Sequence, residues 1–143
     1  MDAIPTSRPP QIDMALLVLR TASALTFLYH GSAILIGAFG GPGPTAFSAF
    51  LQMPVIIGYL VGLAQFGGGL AMLSGMFIRI GAAGIIVVML GAIFLEHLPH
   101  GFDLGRGGYE YALTELLIAV SLLIAGAGRY SLAGWLPATL RKL

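Results

Sequence analysis

Residues 21–78 read TASALTFLYHGSAILIGAFGGPGPTAFSAFLQMPVIIGYLVGLAQFGGGLAMLSGMFI, 58 consecutive positions without an Asp, Glu, Lys or Arg. A soluble domain, in which about a quarter of residues are charged, does not leave such a gap. Glycine and proline interrupt the stretch at Gly37, Gly40, Gly41, Pro42, Gly43 and Pro44, and again at Pro54, because both residues disfavour continuing a helix. Two apolar helices are therefore expected, at 13–36 and 54–75, with Pro54 tolerated in a first helical turn. A short interfacial helix over Phe47–Leu51 is expected between them.

Outward from this stretch, a third apolar run follows Arg79 and covers 79–98, and a fourth covers 108–126. At a rise of 1.5 Å per residue each run extends about 28–36 Å, the thickness of a bilayer core of about 30 Å. The chain has 143 residues, 57% hydrophobic and 9% charged. It predicts an all-α fold, an integral membrane four-helix bundle over 13–128, with a polar N-terminal tail at 1–12 and an interfacial tail at 129–143. In that tail Tyr130 and Trp135 stand near Arg129, Arg141 and Lys142, a pattern of interfacial anchoring rather than a fifth span. The apolar run that follows Asp13 is too long for a signal-peptide core and lacks a small-residue cleavage pattern, so the first span is expected to remain.

Lys and Arg in short loops set orientation. Arg8, Arg79, Arg129, Arg141 and Lys142 fall on one side, whereas Arg106 falls on the other with Glu96 and Asp103. Both termini are expected in the cytoplasm. In a bacterial inner membrane the Gly-Pro loop and the segment 96–107 then face the periplasm. A net charge of +1 without a basic run gives no footprint for nucleic acid. The absence of cysteine excludes disulfides, iron–sulfur clusters and covalently attached haem, so any electrons handled here travel on a group bound noncovalently.

Ionisable groups inside a bilayer cost about 2.5–3.5 kcal/mol on insertion scales, so each needs a partner or a purpose. Arg20, Gln65 and Glu115 come within side-chain reach in depth and are expected to form a buried polar layer near the midplane, either a register-fixing ion pair or part of a ligand or proton site. Toward the opposite face, His30 ends the first helix, Glu96 and His97 end the third, and Tyr109, Glu110 and Tyr111 open the fourth. An imidazole and carboxylates at one membrane level suit proton exchange with a quinone head group, which makes His30, Glu110, Glu96 and His97 the quinone or proton candidates. Helix capping and interfacial hydration explain the same residues without a ligand.

Glu96, His97, His100 and Asp103 also read as a metal-ligand set, but Pro99 breaks the spacing and no metal is expected. A haem between His30 and His97 lacks any supporting motif. The Gly67, Gly68, Gly69 run lies in an apolar helix and not after a strand, so it is no dinucleotide fingerprint. Gly58, Gly62, Gly67, Ala71 and Gly75 are small residues at near-regular spacing and are expected to line helix contacts, within the chain or in a dimer.

Taken together, Leu19 and Arg20, then Phe27, Leu28, Tyr29, His30 and Gly31, the loop Phe39 to Gly43, Gly62 to Gly69 with Gly75 and Arg79, and Gly108 to Tyr111 resemble the DoxX family in order and spacing. Gly126, Gly128, Arg129 and Ser131 extend the resemblance. It implies a four-helix bacterial inner-membrane protein, in a family named for a thiosulfate:quinone oxidoreductase subunit. Carried over by position, Arg20, His30, Gln65 and Glu110 become the residues of interest. Relatives commonly place glutamate where this chain has Gln65, and glutamine cannot exchange a proton.

Two functions follow as expectations. One is an integral subunit of a quinone-linked oxidoreductase, which anchors a partner carrying the redox centre, holds a quinone and is no enzyme on its own. The other is a noncatalytic accessory subunit packed by its glycine-rich faces against a larger membrane assembly. Lipid and other membrane subunits are partners in both. A small-molecule carrier fits less well, because no inverted repeat is evident.

Overall fold

The computed structural model describes residues 8–140 and residue 143. Met1 to Ser7, Arg141 and Lys142, which include most of the expected N-terminal tail and two of the charges used for orientation, lie outside the described residues. All regular secondary structure among the described residues is helical, with no strand: α1 is Pro10–Ile36, α2 Gly43–Phe50, α3 Val55–Ser74, α4 Ile78–Ala92 and α5 Glu110–Ala125. Three stretches, Pro10–Ile36, Val55–Ser74 and Ile78–His100, are long and apolar enough to cross a membrane. The 16 residues of α5 cover about 24 Å at helical rise.

Local chemistry sets the boundaries. The first helix starts three residues before its expected position because Pro10 is accommodated at the start of a helix, where its missing N–H is no loss. The short connecting helix is Gly43–Phe50 rather than Phe47–Leu51, again with a proline in its first turn. The third apolar run does not stay α-helical to 98: after Ala92 it relaxes into a π-helical turn, Ile93–His97, and a 3-10 turn, Leu98–His100. Gly75 closes α3 with φ 74°, and a side chain there would meet Ser131 and the Arg20 guanidinium, so conformation and space both demand glycine.

The long helices pack in the order α1, α3, α4, α5. The α1–α3 contact is the most extensive, and α1 touches α5 far more sparsely. Glycine brings the first pair together: a Cβ on Gly31 would strike the Phe66 backbone, one on Gly69 would lie 2.9 Å from Leu28 N, and one on Gly62 would lie 3.0 Å from Leu35 Cβ. At the α3–α4 crossing Gly68 and Gly81 face each other. Of the expected small-residue positions, Gly62 serves α1, Gly58 receives α2, the methyl of Ala71 seats on Gly81 and Gly75 is the helix cap. Gly67 differs, since a Cβ there meets nothing within 4 Å, because one helical step turns it outward from its buried neighbours Gly68 and Gly69.

Ala24, Phe27, Met72, Ile85, Ala119 and Leu122 form the centre of the core. Leu25, Leu63, Val87 and Ile124 point outward with more than half their surface exposed, as they do when lipid is the solvent. Ser48 of α2 joins the connecting helix to α3: its Oγ accepts the Gly58 N–H at 2.8 Å and donates to Val55 O at 3.3 Å.

Candidate functional site: a polar seam between α1 and α5

The expected Arg20–Gln65–Glu115 layer does not form. Arg20 is 1% exposed, and its guanidinium donates to four backbone carbonyls: Nε to Met72 O at 2.8 Å, Nη2 to Leu73 O at 3.2 Å, and Nη1 to Ala127 O and to Tyr130 O at 2.9 Å. These carbonyls lie at or just beyond the C-terminal ends of α3 and α5, where helix carbonyls lack intrahelical donors and the dipole is negative. The cation is drawn to those two helix ends and not to a carboxylate at the midplane.

The same end of the bundle is tied by other groups. Arg8 Nη2 donates to Ala125 O at 3.1 Å and Arg79 Nε to Leu123 O at 3.1 Å. Buried Asp13, in the first turn of α1, accepts the Arg129 N–H at 3.0 Å. Two of the arginines that suggested a cytoplasmic side, Arg8 and Arg79, thus close off the C-terminal end of α5 through its carbonyls.

Glu115 is buried and accepts a 2.7 Å hydrogen bond from the Ser23 hydroxyl. Ser23, Thr26 and His30 follow one another at steps of three and four residues, which puts them on one face of α1. Tyr111 and Glu115, four residues apart, do the same on α5. The His30 and Tyr111 rings are 6.2 Å apart between centroids. The Tyr111 hydroxyl oxygen is buried and makes no well-formed hydrogen bond, the Thr26 side chain being the partner nearest to making one, with Glu115 close by.

Gln65 enters at the same depth. Gly62 opposes Leu35 and Phe66 opposes Gly31, so the register of α3 on α1 brings Gln65 level with His30 and Ser32. Its side chain is 6% exposed and its Oε1 has no partner. Two buried oxygens from different helices, neither in a well-formed hydrogen bond, therefore stand near the level of His30, toward the end of the bundle that carries the Gly-Pro loop.

The other expected residues organise the connection into α5. Glu110 Oε2 accepts the Leu104 N–H at 3.2 Å, so the α5 residue that meets His30 is Tyr111 and not Glu110. His97 Nδ1 donates to Gly107 O at 2.7 Å, and His100 Nδ1 donates to Glu96 O at 3.0 Å. Glu96 is half-buried on the π-helical turn. Asp103 accepts the Gly105 N–H and pairs with Arg106 at 3.3 Å, both side chains well exposed. No group of three or more metal-ligating side chains occurs among the described residues.

Two of the grooves among the described residues lie along helix contacts. One of about 520 Å³ runs between α3 and α4 over Gly67, Gly68, Ala71, Gly81 and Gly84. The other, about 460 Å³, lies beside Arg20 between Leu17, Leu73, Tyr130 and Ser131. Neither is lined by Gln65, Tyr111 or Glu115.

The family model of DoxX matches residues 15–98, more than half of the chain. The chain belongs to the DoxX family. As a DoxX-family protein with several apolar helices of membrane-crossing length, it is a multi-pass membrane protein. The match runs from α1 to the end of α4 and takes in Arg20, His30 and Gln65. Tyr111 and Glu115 lie beyond it, so their place in the seam rests on the tertiary structure alone. No curated protein and no solved structure matches the chain.

Reading single polar residues by depth missed Ser23 and Thr26 and placed Tyr111 only in a general cluster. The signal was present as spacing: a Ser-x-x-Thr-x-x-x-His stripe in an otherwise apolar helix, and a Tyr-x-x-x-Glu stripe in another.

Proposed function

We propose that this DoxX-family chain is an integral membrane subunit of a quinone-linked redox complex, and that it holds the quinone head group beside His30, Tyr111 and Gln65. In this reading the chain crosses a bacterial inner membrane four times with both termini in the cytoplasm, α5 being the fourth span. Arg8, Arg79 and Arg129 at one end, with Arg106 alone at the other, support that orientation.

One observation carries the reading: in a protein whose solvent is lipid, Gln65 Oε1 is buried without a partner and Tyr111 Oη is buried with no more than a poor hydrogen bond to Thr26. An unmade hydrogen bond there costs about 1–3 kcal/mol, so the two oxygens call for a ligand with matching polar groups. A quinone ring has two carbonyl oxygens, and its reduced form has two hydroxyls. The Tyr111 hydroxyl donates to the first kind of oxygen, and Gln65 Oε1 accepts from the second. The bound quinone supplies a two-electron, two-proton acceptor, and the partner subunit supplies the electrons. His30 and the Ser23–Glu115 pair keep exchangeable protons beside that position. Because α1 and α5 touch so sparsely, a head group reaches the seam laterally from the lipid.

Equilibrium dialysis of decylubiquinone against the protein in phospholipid nanodiscs tests this. Saturable binding near one per chain is expected, weakened about five- to tenfold by Tyr111→Phe for decylubiquinone and by Gln65→Leu for its reduced form, decylubiquinol, roughly the worth of one hydrogen bond each. Binding that does not saturate, or that ignores both substitutions, overturns it.

The accessory reading keeps one observation of its own, the glycine-floored groove between α3 and α4, which has the small-residue lining that lets a foreign helix approach closely. Mild-detergent extraction separates the two. A flavin or haem subunit in fixed ratio supports the redox reading. A large assembly whose activity survives removal of this chain supports the accessory one.

A further inference from the structure

Phe39 adopts φ 56°, in the left-handed region that side-chain-bearing residues avoid at a cost of about 1–2 kcal/mol. It is flanked by a run of glycines that would occupy this conformation at no such cost. What Phe39 does in that conformation is stack: its ring lies 4.9 Å from that of Tyr29, with the planes 19° apart. Both rings are open to the surroundings, Phe39 at 72% and Tyr29 at 50% exposure. Tyr29 meets His30 edge-on at 5.3 Å, and His30 meets Tyr111 at 6.2 Å. Four rings thus form a continuous path from the rim of the Gly-Pro loop to the Tyr111 hydroxyl.

The seam is tied unevenly along its length. Arg8, Arg20 and Asp13 bind it at the Arg129 end, and Ser23 bonds Glu115 in the middle. At the Gly-Pro-loop end α1 and α5 meet through the His30–Tyr111 ring pair and through Thr26 beside the Tyr111 hydroxyl. The Tyr29–Phe39 pair stands beside this end, joined to it through His30.

We propose that the Tyr29–Phe39 ring pair is the clamp that takes a planar quinone head group from the lipid and passes it along His30 to Tyr111 and Gln65. The inference rests on the quinone reading above and adds which residues govern access. A flat conjugated ring gains stacking energy on a parallel aromatic pair beyond the area it buries. Simple anchoring at the membrane interface accepts an aromatic side chain on relaxed backbone, whereas here strained backbone is used to bring one ring onto another.

The test uses the full chain in phosphatidylcholine nanodiscs with decylubiquinone as the probe. The sole tryptophan, Trp135, lies beyond α5, so Trp135→Phe combined with Phe39→Trp leaves one indole at the clamp. Its fluorescence is expected to be quenched saturably, at the concentration that half-fills the site in dialysis. In the native background Phe39→Gly suits the positive φ and removes the ring. It is expected to slow association about tenfold with the thermal midpoint unchanged or raised, while Phe39→Tyr binds like the parent. Should Phe39→Gly fail to fold, Tyr29→Leu breaks the same stack and is expected to slow association similarly. Normal association in the ring-free variants, with binding still lost in Tyr111→Phe, overturns the clamp and leaves the quinone reading standing. A parent protein that binds no decylubiquinone overturns both.

Discussion

Ser23 and Glu115 are 92 residues apart in the chain, and in the structure the serine hydroxyl donates to the glutamate carboxylate across 2.7 Å, both groups buried. The bond crosses the sparse contact between α1 and α5 and lies between the arginine-tied end and the end where the His30 and Tyr111 rings meet.

This pairing predicts a specific pattern of stability. Ser23→Ala leaves the carboxylate without this donor and is expected to cost about 1–3 kcal/mol. The double change Ser23→Ala, Glu115→Leu removes both polar partners and is expected to recover part of that loss. Thermal unfolding of the four members of the cycle in one detergent checks it: a coupling indistinguishable from zero means the two residues do not interact.

Arg20 acts on other partners. Arg20→Met strips four carbonyls of their donor at the ends of two helices, and a loss of about 3–5 kcal/mol is expected, the range for removing one member of a buried charged contact. Arg20→Lys keeps the charge without the planar fork and is expected to fall between. Since Arg20 and Glu115 share no hydrogen-bond partner, their losses are expected to add within about 0.5 kcal/mol. Compensation in the double variant, measured by the same unfolding assay, would restore the ion pair that depth alone suggested.

Neighbouring glycines in α3 are expected to respond in opposite ways. Gly69→Ala drives a methyl against Leu28 N and Ala24 O of α1, and Gly31→Ala against the Phe66 backbone, each at an expected cost of about 1–3 kcal/mol. Gly67→Ala meets no atom within 4 Å and replaces a poor helix former, so a gain of about 0.5–1 kcal/mol is expected. Unfolding midpoints that fall equally for Gly67 and Gly69 would contradict the packing described here.

Removing an unpaired buried oxygen relieves its desolvation. Tyr111→Phe and Gln65→Leu are therefore expected to leave the bundle as stable as the parent or more so, by up to about 1 kcal/mol, while weakening quinone binding. Loss of stability in step with loss of binding would mean that these oxygens are satisfied inside the fold.

The sequence by itself determined the helical class, because 58 residues without a charge leave helices as the economical way to satisfy a backbone in lipid, and glycine and proline divide that stretch. The ends at Pro54, Gly75 and Gly126 also fall close to their expected places, since these residues act locally on their own φ angles and N–H groups, whereas α1 begins earlier, at Pro10, and α4 leaves the α-helix at Ala92 rather than at 98. Tertiary structure alone decided the partners. Depth counted from the helix ends puts Arg20, Gln65 and Glu115 at one level, but the register of α3 on α1 sets Gln65 opposite Ser32, about 18 Å along α1 from Arg20 at helical rise. Which way each side chain leans, and which neighbouring helix it meets, depends on how α1 and α3 rotate to bring Gly31, Gly62 and Gly69 into close backbone contact. That rotation sends Arg20 to the carbonyls of two helix ends and gives Glu115 to Ser23. It leaves Gln65 and Tyr111 with buried oxygens that make no well-formed hydrogen bond.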